Sequence, residues 1–184
     1  MIPIPLPRNA RHIVTILLLS AFAASAPRLL AQQARPCSRA DLRPRVDGLD
    51  GGAGHAAWAF EVTNISRKPC ELDLVPKVAF LDVHGKRLAY SFCMDCSDYL
   101  FKKSPHLSES PVLSPGASAF FLVGGEEAGY GSCPTALALE MTSADGSRIR
   151  FPEPTRQGFW LCDKADVSGW RLGRYSDDLC FTCN

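Results

Sequence analysis

Two Cys-x-x-Cys units carry the sharpest chemical signal in the sequence: Cys93-Met-Asp-Cys96 and Cys180-Phe-Thr-Cys183. Each presents two sulfurs on one side of a tight turn, so Cys93, Cys96, Cys180 and Cys183 together can surround a tetrahedral zinc as thiolates. The stretch between the units is far longer than in a compact zinc ribbon. The same sulfurs can instead form disulfides joining the C-terminal tail to the loop around Cys93, or one disulfide within each unit. Oxidation competes with metal binding, because zinc needs thiolates. Thiol–disulfide catalysis is a third chemistry. A reactive Cys-x-x-Cys usually sits at a helix N-terminus, where the dipole lowers the thiol pKa. Cys93 follows an expected strand, Ser97-Asp98-Tyr99 carries no helix signal, and the last unit ends one residue before Asn184. Disulfides are the expectation, with no cofactor; zinc and redox catalysis are the alternatives.

Cys37, Cys70, Cys133 and Cys162 complete a set of eight cysteines in 184 residues. An even, dense set in an exported chain reads as a disulfide framework, although spacing alone leaves many pairings open. Cys37 precedes the first expected strand and Cys70 follows the second, while Cys133 and Cys162 bracket a later hairpin. Pairs 37–70 and 133–162 therefore staple neighbouring strands.

Other polar residues give weaker signals. His55, His84 and His106 are spaced unlike metal ligands on a helix, and His84 falls in a tight turn. No Gly-x-Ser-x-Gly elbow is present, and Ser118 belongs to a strand pattern. Glu126-Glu127, Asp177-Asp178, and Asp95 with Asp98 are acidic clusters that read as solvated loops before they read as cation sites. Asn64-Ile65-Ser66 matches a glycosylation acceptor, but the surrounding turn explains Asn64 without a sugar. Trp160 and Trp170 are candidates for a carbohydrate platform, weighed against a place in the core. No catalytic residue is assigned.

The N-terminus sets the compartment. Arg8, Arg11 and His12 precede an apolar run over residues 13–24, and small residues with LLAQQA follow. That is the pattern of a secretory signal peptide over 1–31, with an uncleaved anchor as the rival. Cleavage removes three arginines and no acid, taking the formal charge from +1 to −2 and keeping every cysteine. So balanced a charge excludes an electrostatic partner such as nucleic acid. The mature chain has no second long apolar run, so no membrane span is expected, and its place is secreted or periplasmic.

These residues must be held by strands. His55-Ala-Ala-Trp-Ala-Phe-Glu-Val-Thr63 alternates with a period of two, pointing Trp58, Phe60 and Val62 one way and Ala59, Glu61 and Thr63 the other, as in a half-buried strand. Residues 32–54 read as an edge strand over 42–46 and a flexible Gly-rich loop. Residues 77–83 and 86–90 form a hairpin across His84-Gly85, and residues 136–142 and 148–151 form another across Asp145-Gly146. Leu113-Ser-Pro-Gly116 is a turn, residues 117–123 are a nearly continuous apolar strand, and 124–132 are a loop. No helical period appears. About seven or eight short strands with turn signals between them predict an all-β sandwich over 37–162, burying Trp58, Phe60, Val62, Phe80, Phe120, Leu122, Leu137, Leu139 and Ile149. An irregular Cys-containing tail follows over 163–184.

The order of these segments resembles a known family. Thr63-Asn64, Ser66 and Cys70, then Phe80-Leu81-Asp82 with Gly85, then Leu113 and Pro115-Gly116, then Cys133 are similar to the pattern of the secreted bacterial domain of unknown function 4232. The resemblance covers residues 37–162 and implies an immunoglobulin-like β-sandwich on exported proteins and lipoproteins. It implies no activity. The expected function is that of a non-enzymatic binding, adhesion or scaffolding module at the cell envelope, with an envelope or extracellular protein or a glycan as partner.

Overall fold

The alternating residues 55–63 form the strand around which the domain is built. The computed structural model describes residues 34–52, 55–94, 109–126, 135–152, 159–160 and 164–175. Its strands are β1 (Arg35–Pro36), β2 (Leu42–Gly52), β3 (His55–Asn64), β4 (Cys70–Glu71), β5 (Lys77–Leu81), β6 (Ser91–Met94) and β7 (Val112–Leu113). They continue with β8 (Ser118–Glu126), β9 (Thr135–Ala136), β10 (Ala138–Thr142), β11 (Arg148–Arg150), β12 (Phe159–Trp160), β13 (Lys164–Val167) and β14 (Arg171–Leu172). Eight of these have three residues or more, and no helix occurs among the described residues.

The main sheet runs β2-β3-β8-β13-β6, with β14 also pairing β8. A second sheet, β11-β10-β5, packs across its inner face. The inter-sheet core holds Trp58, Phe60 and Val62 from β3, Ala119, Phe121 and Val123 from β8, and Phe80, Leu139, Met141 and Ile149 from the second sheet. Cross-strand partners Phe60 and Phe121 stack with centroids 5.4 Å apart, and Phe151 meets Phe60 edge-on at 5.2 Å. Such aromatic pairs add to the gain from burial. The fold is an all-β sandwich.

Several details differ from the expected layout. Strand β2 does not stop at Val46. It continues to Gly52 with a bulge between Asp47 and Leu49, because long β3 offers it a partner throughout and glycine accommodates the bulge. Strand β8 likewise extends to Glu126, past the expected start of a loop at Gly124. Strand β3 is buried on both faces: Ala57, Ala59, Glu61 and Thr63 are covered as well. Phe120 and Leu122 do not join the inter-sheet core; they form a second cluster with Ala57, Ala59 and Tyr175 on the outer face. An unbroken apolar run carries no parity, so the cross-strand register alone chooses which residues face inward. Leu137 falls in the break between β9 and β10 and is only half-buried. Of the 77–90 hairpin, the Leu81–Arg87 bridge and three backbone bonds form, donated by Asp82, Gly85 and Leu88. The hairpin across Asp145-Gly146 forms as expected.

The C-terminal segment supplies part of the main sheet. Strand β13 lies antiparallel to β8 and parallel to β6, and β14 pairs with β8. Trp170 then enters the core, 5.1 Å from Phe121, and Tyr175 closes over Phe120 at 5.7 Å. No helix among the described residues is long and apolar enough to cross a membrane. The expected 1–31 signal segment lies outside the described residues.

Candidate functional site

The residues that carry the family pattern converge on turns. Asn64 ends β3 and is fully buried. Its Nδ2 donates to the carbonyls of Lys68 (2.9 Å) and Leu113 (2.8 Å), and its Oδ1 accepts from the N–H and the hydroxyl of Ser66. Its backbone carbonyl accepts the N–H of Gly116, and its N–H donates to Ala117. One side chain thus ties the turn after β3 to the Leu113–Gly116 turn before β8. Gly116 adopts φ +80°, which glycine takes without strain. A sugar on Asn64 has no place in this arrangement.

Asp82 closes the next turn. Its Oδ1 accepts the N–H groups of His84 and Lys86, both at 2.8 Å, and these bonds lower its pKa. Gly85 follows at φ +74°. His84 is exposed and supplies its backbone N–H to this turn.

A third node surrounds the first disulfide. Cys37 and Cys70 are bonded and fully buried, and the parallel pair β1–β4 runs beside them. Asp41 accepts both guanidinium nitrogens of Arg35 and both the N–H and the hydroxyl of Ser38. The Arg35 guanidinium and the Ser38 donors hold this carboxyl well below the usual carboxylate range.

On the outer face of the main sheet, buried Glu61 receives the backbone N–H of Tyr175 at 3.2 Å and Arg45 at 3.4 Å. Thr63 and Ser118 share a hydrogen bond of 2.8 Å on the same face. Ser118 is therefore a buried strand residue without the exposure of a nucleophile.

Cys93 lies on β6, not at a helix N-terminus, and its sulfur is disulfide-bonded to a partner outside the described residues. A sulfur so bonded has no thiolate to offer zinc. Cys96, Cys133, Cys162, Cys180 and Cys183 lie outside the described residues, as do His106, Asp95, Asp98, Glu127, Asp177 and Asp178. The side chains of His55, Glu126 and Trp160 also lie outside them. Among the described residues no cluster of His, Cys, Asp and Glu is arranged to hold a metal. Trp170 is no carbohydrate platform: it is 3 % exposed and donates its indole N–H to the Asp73 carbonyl at 3.0 Å.

Two features escape the sequence reading. One is a shallow groove of about 690 Å³ lined by Pro44 of β2 and by Arg150, Phe151 and Pro152 at the end of β11. The other is Asp166 on β13, set between two core residues. Alternation in Lys-Ala-Asp-Val167 was the available signal, masked by the Cys- and Gly-rich surroundings.

These parts define a disulfide-stapled β-sandwich whose signature residues serve its turns. A family model described as a domain of unknown function (DUF4232) matches residues 37–171, about three quarters of the chain, and the chain belongs to that family. The match extends beyond Cys162 to Arg171, so strands β13 and β14 lie within or at the end of the family domain. No curated protein and no solved structure matches the chain.

Proposed function

We propose that this chain is an exported β-sandwich module that works by binding at the cell envelope rather than by catalysis. The compartment is supported by disulfide bonding at Cys37–Cys70 and at Cys93, since such bonds persist in oxidising surroundings. Binding is favoured by the way the described carboxylates are used. Asp41, Asp82 and Glu61 are committed to turns and to the outer sheet face.

The observation that carries the reading is the groove beside β2. It is lined by the exposed Arg150 and Pro152, by half-buried Pro44, and by Phe151, whose ring is buried against Phe60 and Phe121. A guanidinium beside two prolines suits a carboxylate on an otherwise apolar segment. Strand addition is disfavoured there, because Pro44, Arg43, Arg45 and the bulge blunt the β2 edge. The ligand is thus an acidic segment of an envelope protein that inserts side chains.

The test is to probe arrays of acidic peptides, neutral peptides and envelope glycans with the exported protein and its Arg150→Glu variant. Acidic peptides should be retained, with affinity falling at least about tenfold in the variant and melting unchanged. Equal binding by both proteins, or glycan binding that ignores Arg150, refutes the groove.

A further inference from the structure

Arg148 and Arg150 hold alternate positions of β11 and are both exposed, while Ile149 between them is buried. The two arginines therefore share the outer face of the second sheet, with Cα atoms about 7 Å apart at the rise of a strand. Glu140 lies in register with Arg150, yet its carboxylate takes Arg87 at 3.0 Å and Arg148 at 3.7 Å. Among the described residues no carboxylate pairs with Arg150. Exposed pairs of this kind are weak, so both guanidiniums are open to a ligand.

The backbone of the same residues is open as well. The Phe151 N–H donates to the Leu139 carbonyl, and the Ser147 carbonyl accepts the Ser143 N–H. Bonded pairs alternate along an antiparallel ladder, so Ile149 bonds Met141, and the N–H and C=O groups of Arg148 and Arg150 point away from β10. Among the described residues no strand pairs with β11 on that side. The opposite edge of the sheet is already covered: the Phe80 carbonyl accepts the Leu88 N–H, and the Asp82 N–H donates to the Lys86 carbonyl. On the far side of the groove, β2 carries Pro44 and a bulge, whereas β11 contains no proline.

We propose that an extended acidic segment of a partner protein adds antiparallel to β11 as a fourth strand of the second sheet, setting two acidic residues, one position apart, against Arg150 and Arg148. This rests on the acidic ligand read for the groove and specifies how that ligand is held. Residues directly opposite in an antiparallel pair share a face. The acidic side chains thus lie beside the arginines on the outer face, and their own N–H and C=O groups bond those of Arg148 and Arg150. The residue between them turns to the side of Ile149, toward Pro44 in the groove. Main-chain bonds supply the affinity, and the charges select the partner. The same charges reject a second copy of this chain. Two β11 strands paired antiparallel about Ile149 would oppose Arg148 to Arg150, and like charges directly opposite are destabilising.

The test is titration of the exported protein with capped, labelled peptides, read by fluorescence anisotropy. One peptide carries Glu-Val-Glu-Val-Glu, and a second carries the same residues as Glu-Glu-Val-Val-Glu. Two further forms of the first are N-methylated, on the Glu nitrogens or on the Val nitrogens. The alternating peptide should bind at least about tenfold tighter than its rearrangement. Methyl groups on the Glu nitrogens, which face β11, should weaken it at least about tenfold, and those on the Val nitrogens, which face away, should not. Arg148→Pro should lose more affinity than Arg148→Gln, because proline removes an N–H that faces the ligand and none that faces β10. Should Arg148→Pro not fold, the methylated peptides decide. Equal affinity for the two sequences, or a loss from Val methylation as large as that from Glu methylation, overturns strand addition. If those peptides still lose affinity with Arg150→Glu, the groove stands and the added strand alone falls; if no acidic peptide binds, both fall.

Discussion

Replacing Asn64 tests whether the family pattern is architectural. Four hydrogen bonds end on this side chain, filling both its donors and both its lone pairs. In Asn64→Ala the single proton of the Ser66 hydroxyl, no longer drawn to Oδ1, goes to the Lys68 carbonyl at 2.9 Å. The Leu113 carbonyl loses the side-chain donor it had in a buried site. Each lost bond is worth about 1 kcal/mol net, so losing the four lowers stability by about 4 kcal/mol. In a domain of this size that lowers Tm by roughly 10 °C. Asn64→Asp sharpens the test. It keeps the acceptor side toward Ser66 but turns a carboxylate oxygen toward two carbonyls. The folded state then disfavours the charged form, so the folded pKa of the new carboxyl lies above its unfolded value. The variant's deficit should therefore shrink as pH falls through that raised pKa toward the ordinary carboxylate range. Urea denaturation at neutral and acid pH reads both effects. A cost below about 1 kcal/mol for Asn64→Ala, or a deficit in Asn64→Asp that is indifferent to pH, would refute the reasoning.

Three further outcomes follow from the same structure. Trp58→Ala should cost about 3–5 kcal/mol by emptying the inter-sheet core, measured by chemical denaturation; a loss below about 1 kcal/mol contradicts its placement. Joint replacement of Cys37 and Cys70 by Ala should cost about 3–4 kcal/mol, because their bond closes a loop with a sequence separation of 33, and equal midpoints for variant and parent would rule this out. Asp41 has a depressed folded pKa, so its contribution is present above the ordinary carboxylate pKa and fades as pH falls below it. Asp41→Asn should thus flatten the acid limb of the stability curve, and an unaltered limb in the variant would count against the Arg35 and Ser38 contacts.

Legibility followed the kind of signal each residue sends. Trp58, Phe60 and Val62 were readable because polar residues alternate with them, which marks a face directly. Gly85, Gly116 and Gly146 were readable because turns with positive φ select glycine, and all three adopt it. The pairing of Cys37 with Cys70 followed from strand adjacency. The parity of Phe120 and Phe121 was not readable, because every residue in that run is apolar and only the register of β8 against β3 separates them. The turn role read at Asn64 was legible from its neighbours, but the three-residue motif is blind to the carbonyl of Leu113, which arrives from another turn.

Local chemistry thus specified the strands, their turns and the oxidisable sulfurs, because each depends on a few neighbouring residues. Long-range pairing specified the rest. Strand β13 inserts between β8 and β6, and that pairing alone brings Asp166 beside Cys93, more than seventy positions earlier in the chain. Folding of the segment past Cys162 onto the sheet likewise buries Glu61 and the second apolar face. Contacts between such distant residues arise from burying both faces of one sheet, and no local pattern encodes which segment will do the covering.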